Sequence, residues 1–271
     1  MREMRDTLRA TFGRVLRRDN RRQAVRRGTL ERVGDFSRPL TVYLPPGYER
    51  GETRYPVLYM HDGQNLFDPE RSFVRGQPWR LNEAADAAIG DCTAEPMIIV
   101  GIDHAGPGRI DEYTPTRDDS RQAGGKAGDY ARMLIDQIKP LIDSRYRSLP
   151  DDTSTAGSSL GGLVSLYLGL TRPDLFRRIA AMSPSVWWND RSILGFVDRF
   201  EGPRPRIWLD VGGREGRETL RDARTLRDRL LSKGWSSDDL EFREDPRGDH
   251  SERAWARRAR PMIEFLFGAR R

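Results

Sequence analysis

The chain has 271 residues, 37% of them hydrophobic and 32% charged, which suits one large α/β domain and excludes a disordered composition. One cysteine, Cys92, excludes an internal disulfide framework, and no apolar run is long enough to span a membrane. The formal net charge of +6 is concentrated: residues 1–27 hold ten arginines against Glu3, Asp6 and Asp19, so the rest of the chain is nearly neutral.

In residues 1–27, Met4, Leu8, Phe12, Val15 and Leu16 fall on one helical stripe among the arginines, which predicts a basic amphipathic segment. Docked on the domain, its arginines are simply solvated; used outward, they suit an anionic membrane surface, a nucleic acid such as RNA, or the mouth of a site for an acidic substrate. No apolar core follows them, so no secretory signal is expected and a cytoplasmic setting is the default. From Gly28 the pattern changes, and residues 28–271 are expected to form one domain. Thr29–Val33 and Leu40–Leu44 are expected to be paired strands, closed by Pro45-Pro46-Gly47. Tyr55–Met60 predicts a buried strand running into His61-Asp62-Gly63-Gln64-Asn65, and Trp79–Ile89 a helix. Pro96–Ile102 predicts another buried strand, followed by a polar loop through Pro115. Tyr130–Tyr146 has helical spacing in Met133, Leu134, Ile138, Leu141 and Ile142. Arg178–Met182, Arg206–Val211 and Leu240–Glu244 predict strands, and Glu218–Lys233 and Ser251–Phe267 predict helices. Apolar strands alternating with helices imply a mostly parallel sheet covered on both faces.

At the centre lies Gly157-Ser158-Ser159-Leu160-Gly161, a Gly-x-Ser-x-Gly pattern with a short strand candidate before it and an apolar helical run to Leu170 after it. A sharp strand-to-helix turn there lifts Ser159 clear of the sheet, and small residues two before and two after the serine let strand and helix approach. A serine hydroxyl needs a base. Of the three histidines, His250 alone follows Ser159, in a loop just past the last strand, where the order Ser, acid, His requires it. The loop after Arg206–Val211 is expected to supply the acid, Glu215 first and Glu218 second, with Asp190 the choice if the acid follows the preceding strand. Asp210 sits inside that strand, poorly placed to reach the histidine. For the oxyanion, the Leu160 N–H at a helix N-terminus is one expected donor. The Gln64 N–H is the other, with Gly63 letting the backbone turn. His61 and His104 each adjoin an aspartate and read as structural pairs. With a single Cys and no His-x-x-x-His spacing, no metal is expected, and no glycine-rich phosphate turn opens a helix, so no cofactor is expected either. Trp187, in the Trp187-Trp188 pair, is a candidate wall of the acyl pocket.

Taken as a set, Val42-Tyr43-Leu44-Pro45-Pro46-Gly47-Tyr48, Tyr55–Phe67, Gly157–Gly162, Ser183–Trp188 and Gly248-Asp249-His250 resemble the putative esterase family of α/β hydrolases. The resemblance covers roughly residues 28–268 and is nearest its siderophore-esterase-like branch. It implies an α/β-hydrolase fold with a mostly parallel central sheet. It places the nucleophile at Ser159, the histidine at His250 and the oxyanion donors at Leu160 and Gln64. Many members use Asp as the acid, which leaves Glu215 open. The expected function is hydrolysis of a small-molecule carboxylic ester through an acyl-enzyme. An acyltransferase on the same fold, or a binding protein using the basic segment beside a vestigial site, are the alternatives.

Overall fold

The computed structural model describes residues 27–34, 36 and 38–268, so the stripe from Met4 to Leu16 lies outside the described residues. Ten strands are present among them: β1 (Thr29–Val33), β2 (Leu40–Leu44), β3 (Tyr55–His61), β4 (Ile98–Ile102), β5 (Arg117–Asp118), β6 (Ala123–Gly124), β7 (Ser148–Ser158), β8 (Phe176–Met182), β9 (Arg206–Gly212) and β10 (Leu240–Asp245). Eight form one sheet in the order β1-β2-β4-β3-β7-β8-β9-β10, while β5 and β6 make a separate ribbon. The β1–β2 and β2–β4 pairings are antiparallel and every pairing from β4 to β10 is parallel. Parallel strands need crossovers, and these hold the helices α1 (Leu81–Gly90), α2 (Arg109–Tyr113), α3 (Ala127–Met133), α4 (Lys139–Arg145), α5 (Leu160–Thr171), α6 (Trp188–Arg191), α7 (Ile193–Asp198) and α8 (Arg217–Ser232), while α9 (Glu252–Phe267) follows the last strand.

Side chains alternate across the sheet and build two cores. Val57 and Tyr59 of β3 join Leu163, Val164, Leu226 and Leu230 of α5 and α8 on one face. Leu58 and Met60 join Leu81 and Ala85 of α1 and Trp255, Met262 and Leu266 of α9 on the other. Each buried leucine or valine contributes about 1.5–3 kcal/mol, so both layers hold the sheet firmly.

Three elements differ from the sequence-based expectation. β7 extends back through Asp151, Asp152, Thr153 and Ser154, a stretch with no apolar run. Thr153, Ser154 and Thr155 are nevertheless buried, because their hydroxyls lie in the middle of the sheet. The helix expected over Tyr130–Tyr146 starts at Ala127 and passes through a π-helical stretch, Leu134–Ile138, before α4. Pro140 follows that widened stretch, and its missing N–H removes one bond of the regular ladder. The polar loop after β4 holds α2, whose Arg109 and Tyr113 reach the site described next.

Candidate active site

The parallel strands all deliver their C-terminal ends to one edge of the sheet, and the functional candidates sit in the turns that follow. At the end of β7 the chain reverses into α5 within one residue. Ser159 takes φ 56° and ψ −121°, a conformation L-residues avoid, at a cost of about 1–3 kcal/mol. The strain is enforced by contact: a Cβ at Gly157 would stand 2.7 Å from the Gly161 backbone carbonyl carbon. Ser159 N–H donates to Met182 O at 2.9 Å, and Ser185 N–H donates to Ser159 O at 3.0 Å, which tie the turn to the end of β8.

This presentation aims the hydroxyl at His250. Ser159 Oγ lies 3.0 Å from His250 Nε2, and His250 Nδ1 lies 2.8 Å from Glu215 Oε2. Glu215 is in the turn after β9, where its own N–H bonds Gly212 O at 3.1 Å. Its side chain is 1% exposed, against 44% for His250. Burial pushes the Glu215 carboxyl up, but hydrogen bonds from His250, Ser183 and the Gly212 N–H outweigh it and hold the group below the usual glutamate range. A carboxylate kept ionised against imidazole Nδ1 leaves Nε2 free to accept a proton. Glu218 lies away from this cluster, its side chain 89% exposed beside Arg221. Asp190 sits in the kinked α6, and among the described residues it makes no bond to His250.

A layer beneath the three residues holds them in place. Ser183, itself at φ 44°, donates from Oγ to Glu215 Oε1 at 2.5 Å and accepts from Trp255 Nε1 at 3.1 Å and Arg258 Nη2 at 3.2 Å. Arg258 also donates to Asp210 Oδ1 at 2.5 Å, and Trp208 Nε1 donates to Asp210 Oδ2 at 2.7 Å. Asp210 is therefore a buried partner for Arg258; burial pushes its carboxyl up to about 6 against the pull of that guanidinium. The Trp255 indole and the His250 ring pack in a T-shaped pair, centroids 4.9 Å apart at 81°. Trp255 and Arg258 carry no motif beyond their spacing a turn apart on α9, and Ser183, although it opens the Ser183–Trp188 stretch, is not marked there as a partner of the acid.

Leu160 is the first residue of α5, so its N–H has no intrahelical acceptor. Gln64 lies in the 3₁₀ turn Gly63–Asn65 after β3. That turn is made differently from the expectation. The residue at positive φ is Asp62, at 58°, and Gly63 is required for another reason: a Cβ there would meet the Gly101 carbonyl carbon at 2.5 Å. Asp62 is held by Arg109, with Nε and Nη2 on its two oxygens at 2.7 and 2.8 Å, and its N–H donates to Tyr113 Oη at 3.2 Å.

The two remaining histidines do not pair with their neighbouring aspartates, because adjacent residues at a strand end point to opposite sides. His61 is buried between Tyr130 Oη (2.8 Å, Nδ1) and Thr155 Oγ1 (3.1 Å, Nε2), and burial lowers its pKa to about 3. Asp103 pairs with Arg71 instead, while His104 Nδ1 accepts from Gly106 N–H at 2.8 Å.

Ser159 and His250 open onto a cavity of about 470 Å³, whose lining includes Gln64, Phe73, Val74, Arg109 and Trp255. Trp187 is absent from that lining; the residue is 45% exposed, with the Arg121 guanidinium 5.2 Å from its ring centroid, while Val186 and Trp188 on either side are buried. Glu252, two residues past His250, does line the cavity. It accepts from Asn65 Nδ2 at 3.1 Å and from Trp79 Nε1, which ties α9 to the loop carrying Gln64. Burial pushes its carboxyl up to about 7, with Asp62 adding to the effect and the Trp79 hydrogen bond, Arg109 and His250 opposing it. Among the described residues no group of three His, Cys, Asp or Glu side chains is arranged to hold a metal ion, and no helix is long and apolar enough to cross a membrane.

Compared with known proteins, residues 35–265 match the model of a family described as "Putative esterase". The uncharacterized protein YbbA of Bacillus subtilis is 26% identical over 261 residues, covering 90% of this chain and 98% of its own. The ferri-bacillibactin esterase BesA of the same organism is 32% identical over 173 residues, 61% of this chain; the match spans 57% of BesA's length. Among solved structures, the BES protein from Bacillus cereus superposes with a TM-score of 0.71 at 20% identity, covering 90% of this chain and 95% of its own.

Proposed function

The chain belongs to the putative esterase family, with the α/β-hydrolase fold, and is a carboxylic ester hydrolase; from that premise we propose that it works through an acyl-enzyme on Ser159. His250 Nε2 takes the Ser159 proton as Oγ attacks the ester carbonyl, and Glu215 steadies the imidazolium that forms. The N–H groups of Leu160 and Gln64 receive the developing oxyanion. His250 then returns the proton to the leaving alkoxide, and water repeats the sequence to release the acid. One observation carries this reading: the run of contacts from Ser159 through His250 to Glu215, at 3.0 and 2.8 Å, at the mouth of a cavity.

The substrate we assign is a small ester of siderophore type. The likeness to the ferri-bacillibactin esterase BesA supports it, as does a cavity that mixes apolar walls with Arg109 and Gln64. The domain taken as catalytic runs from residue 28 to 271. The single cysteine, Cys92, supports a reducing, cytoplasmic setting. The test is Ser159→Ala. Loss of both ester hydrolysis and covalent labelling by a fluorophosphonate is expected; labelling at wild-type strength would refute the assignment.

A further inference from the structure

A second cavity, of about 530 Å³, opens beside the first and shares Gln77 with it. Its apolar part is made by Pro78, Trp79, Ala84 and Ala256, where the N-terminal part of α9 meets α1. Ala84 and Ala256 are small, and a leucine at either position would fill part of the space. The wall between the cavities is aromatic: Trp79 lines one, Trp255 lines the other, and their rings lie 6.0 Å apart.

The rim is cationic. Arg80, Arg253 and Arg257 line the cavity against a single carboxylate, Glu83. Arg80 reaches Glu83 only at 3.7 Å, with both side chains well exposed, and Arg257 reaches Asp245 only at 3.6 Å. Exposed pairs at such distances hold their partners weakly. Among the described residues the Arg253 guanidinium makes no ion pair or hydrogen bond; it acts on Asp249 only through its field. Arg80 also stands at φ 53°, left-handed backbone kept on a residue other than glycine. An apolar trough edged by weakly engaged guanidinium groups suits an amphipathic anion, and guanidinium is the side chain best shaped for a carboxylate.

We propose that this cavity is a second substrate subsite, which takes the carboxylate-bearing arm of an ester whose scissile bond lies at Ser159. The proposal rests on the hydrolase reading above and deepens it. The arm crosses at Gln77, lays its hydrocarbon on Ala84 and Ala256 over the buried Trp79, and sets its carboxylate against Arg253, with Arg80 and Arg257 also on the rim.

The test compares p-nitrophenyl monoesters of dicarboxylic acids, in a series of increasing chain length, with the uncharged p-nitrophenyl alkanoates of matching length. The expected result is a preference in kcat/KM for the charged ester that peaks at one chain length. In Arg253→Ala/Arg257→Ala the ratio of charged to uncharged ester falls at least about tenfold, the worth of a charge-assisted pair. Arg253→Lys restores part of it, and high salt erodes it. A ratio that never favours the charged ester, or that the double variant leaves unchanged, overturns the proposal. Failure to hydrolyse either ester overturns the hydrolase reading instead. The cavity is then judged by direct titration of 2-naphthoate, whose binding to wild type must weaken at least about tenfold in the double variant; undiminished or absent binding sinks it.

Discussion

Replacing Glu215 with Gln tests the site most sharply, because the structure dictates how the amide must sit. Glu215 Oε1 accepts from the Gly212 N–H at 2.7 Å, and that backbone group can only donate. The oxygen of a glutamine is therefore kept at the Oε1 position. Its NH₂ then occupies the Oε2 position, 2.8 Å from His250 Nδ1, where an acceptor now stands. Facing a donor, Nδ1 must give up its proton, and the neutral imidazole carries it on Nε2, toward Ser159. A histidine in that tautomer cannot accept the serine proton. The expected loss in kcat is about 10³–10⁴-fold, or about 4–5.5 kcal/mol of barrier, with KM little changed. Steady-state hydrolysis of a p-nitrophenyl ester measures it, with the rate of fluorophosphonate labelling as a second readout and circular dichroism as a check on folding. A kcat within tenfold of wild type, or an equal loss from Glu218→Gln, would refute the reasoning.

Two further outcomes follow from strain and burial. Ser159→Gly removes the penalty of holding φ at 56° and is expected to be inactive yet more stable than Ser159→Ala, by about 1 kcal/mol, or about 2 °C in Tm; equal melting temperatures would contradict the strained elbow. For Glu252, the folded pKa of about 7 lies above the ordinary value of 4.5, so its contribution to stability is present below about pH 4.5 and is lost as pH rises through about 7. Glu252→Gln escapes that loss. Its stability relative to wild type is expected to climb over this window by on the order of 1–3 kcal/mol, read from urea unfolding at several pH values, and a flat difference would count against the buried carboxyl.

How much of this was legible in the sequence depends on what kind of contact is involved. Ser159 and His250 stand out because a nucleophile turn needs close-set glycines and because strand order limits where its base can come from. Glu215 stands ahead of Glu218 in the sequence reading of its loop, but only the turn that bonds Glu215 N–H to Gly212 O fixes which carboxylate points inward. The supporting layer was invisible. Ser183, Asp210, Trp255 and Arg258 meet across β8, β9 and α9, and no local pattern records contacts between residues so far apart in the chain. His61 and His104 differ from the expectation because neighbours in sequence are not neighbours in space: both imidazoles bond groups other than the adjacent aspartates, and Trp187 is exposed between buried neighbours. β7 was underestimated because its hydroxyl-bearing residues lack an apolar signature while lying at the centre of the sheet.

The last helix has a consequence of its own. Glu252, Trp255 and Arg258 recur every third residue along one side of α9, and each grips a different part of the machinery: the loop after β3, the histidine with Ser183, and the Asp210 anchor. The helix thus behaves like a key with three teeth cut to one spacing. A single residue inserted between Glu252 and Trp255 would rotate the later teeth by about 100° and misalign the lock while every reacting group remained encoded. Shortening the protein before α9 would likewise leave serine, glutamate and histidine all in the chain, yet yield a silent protein.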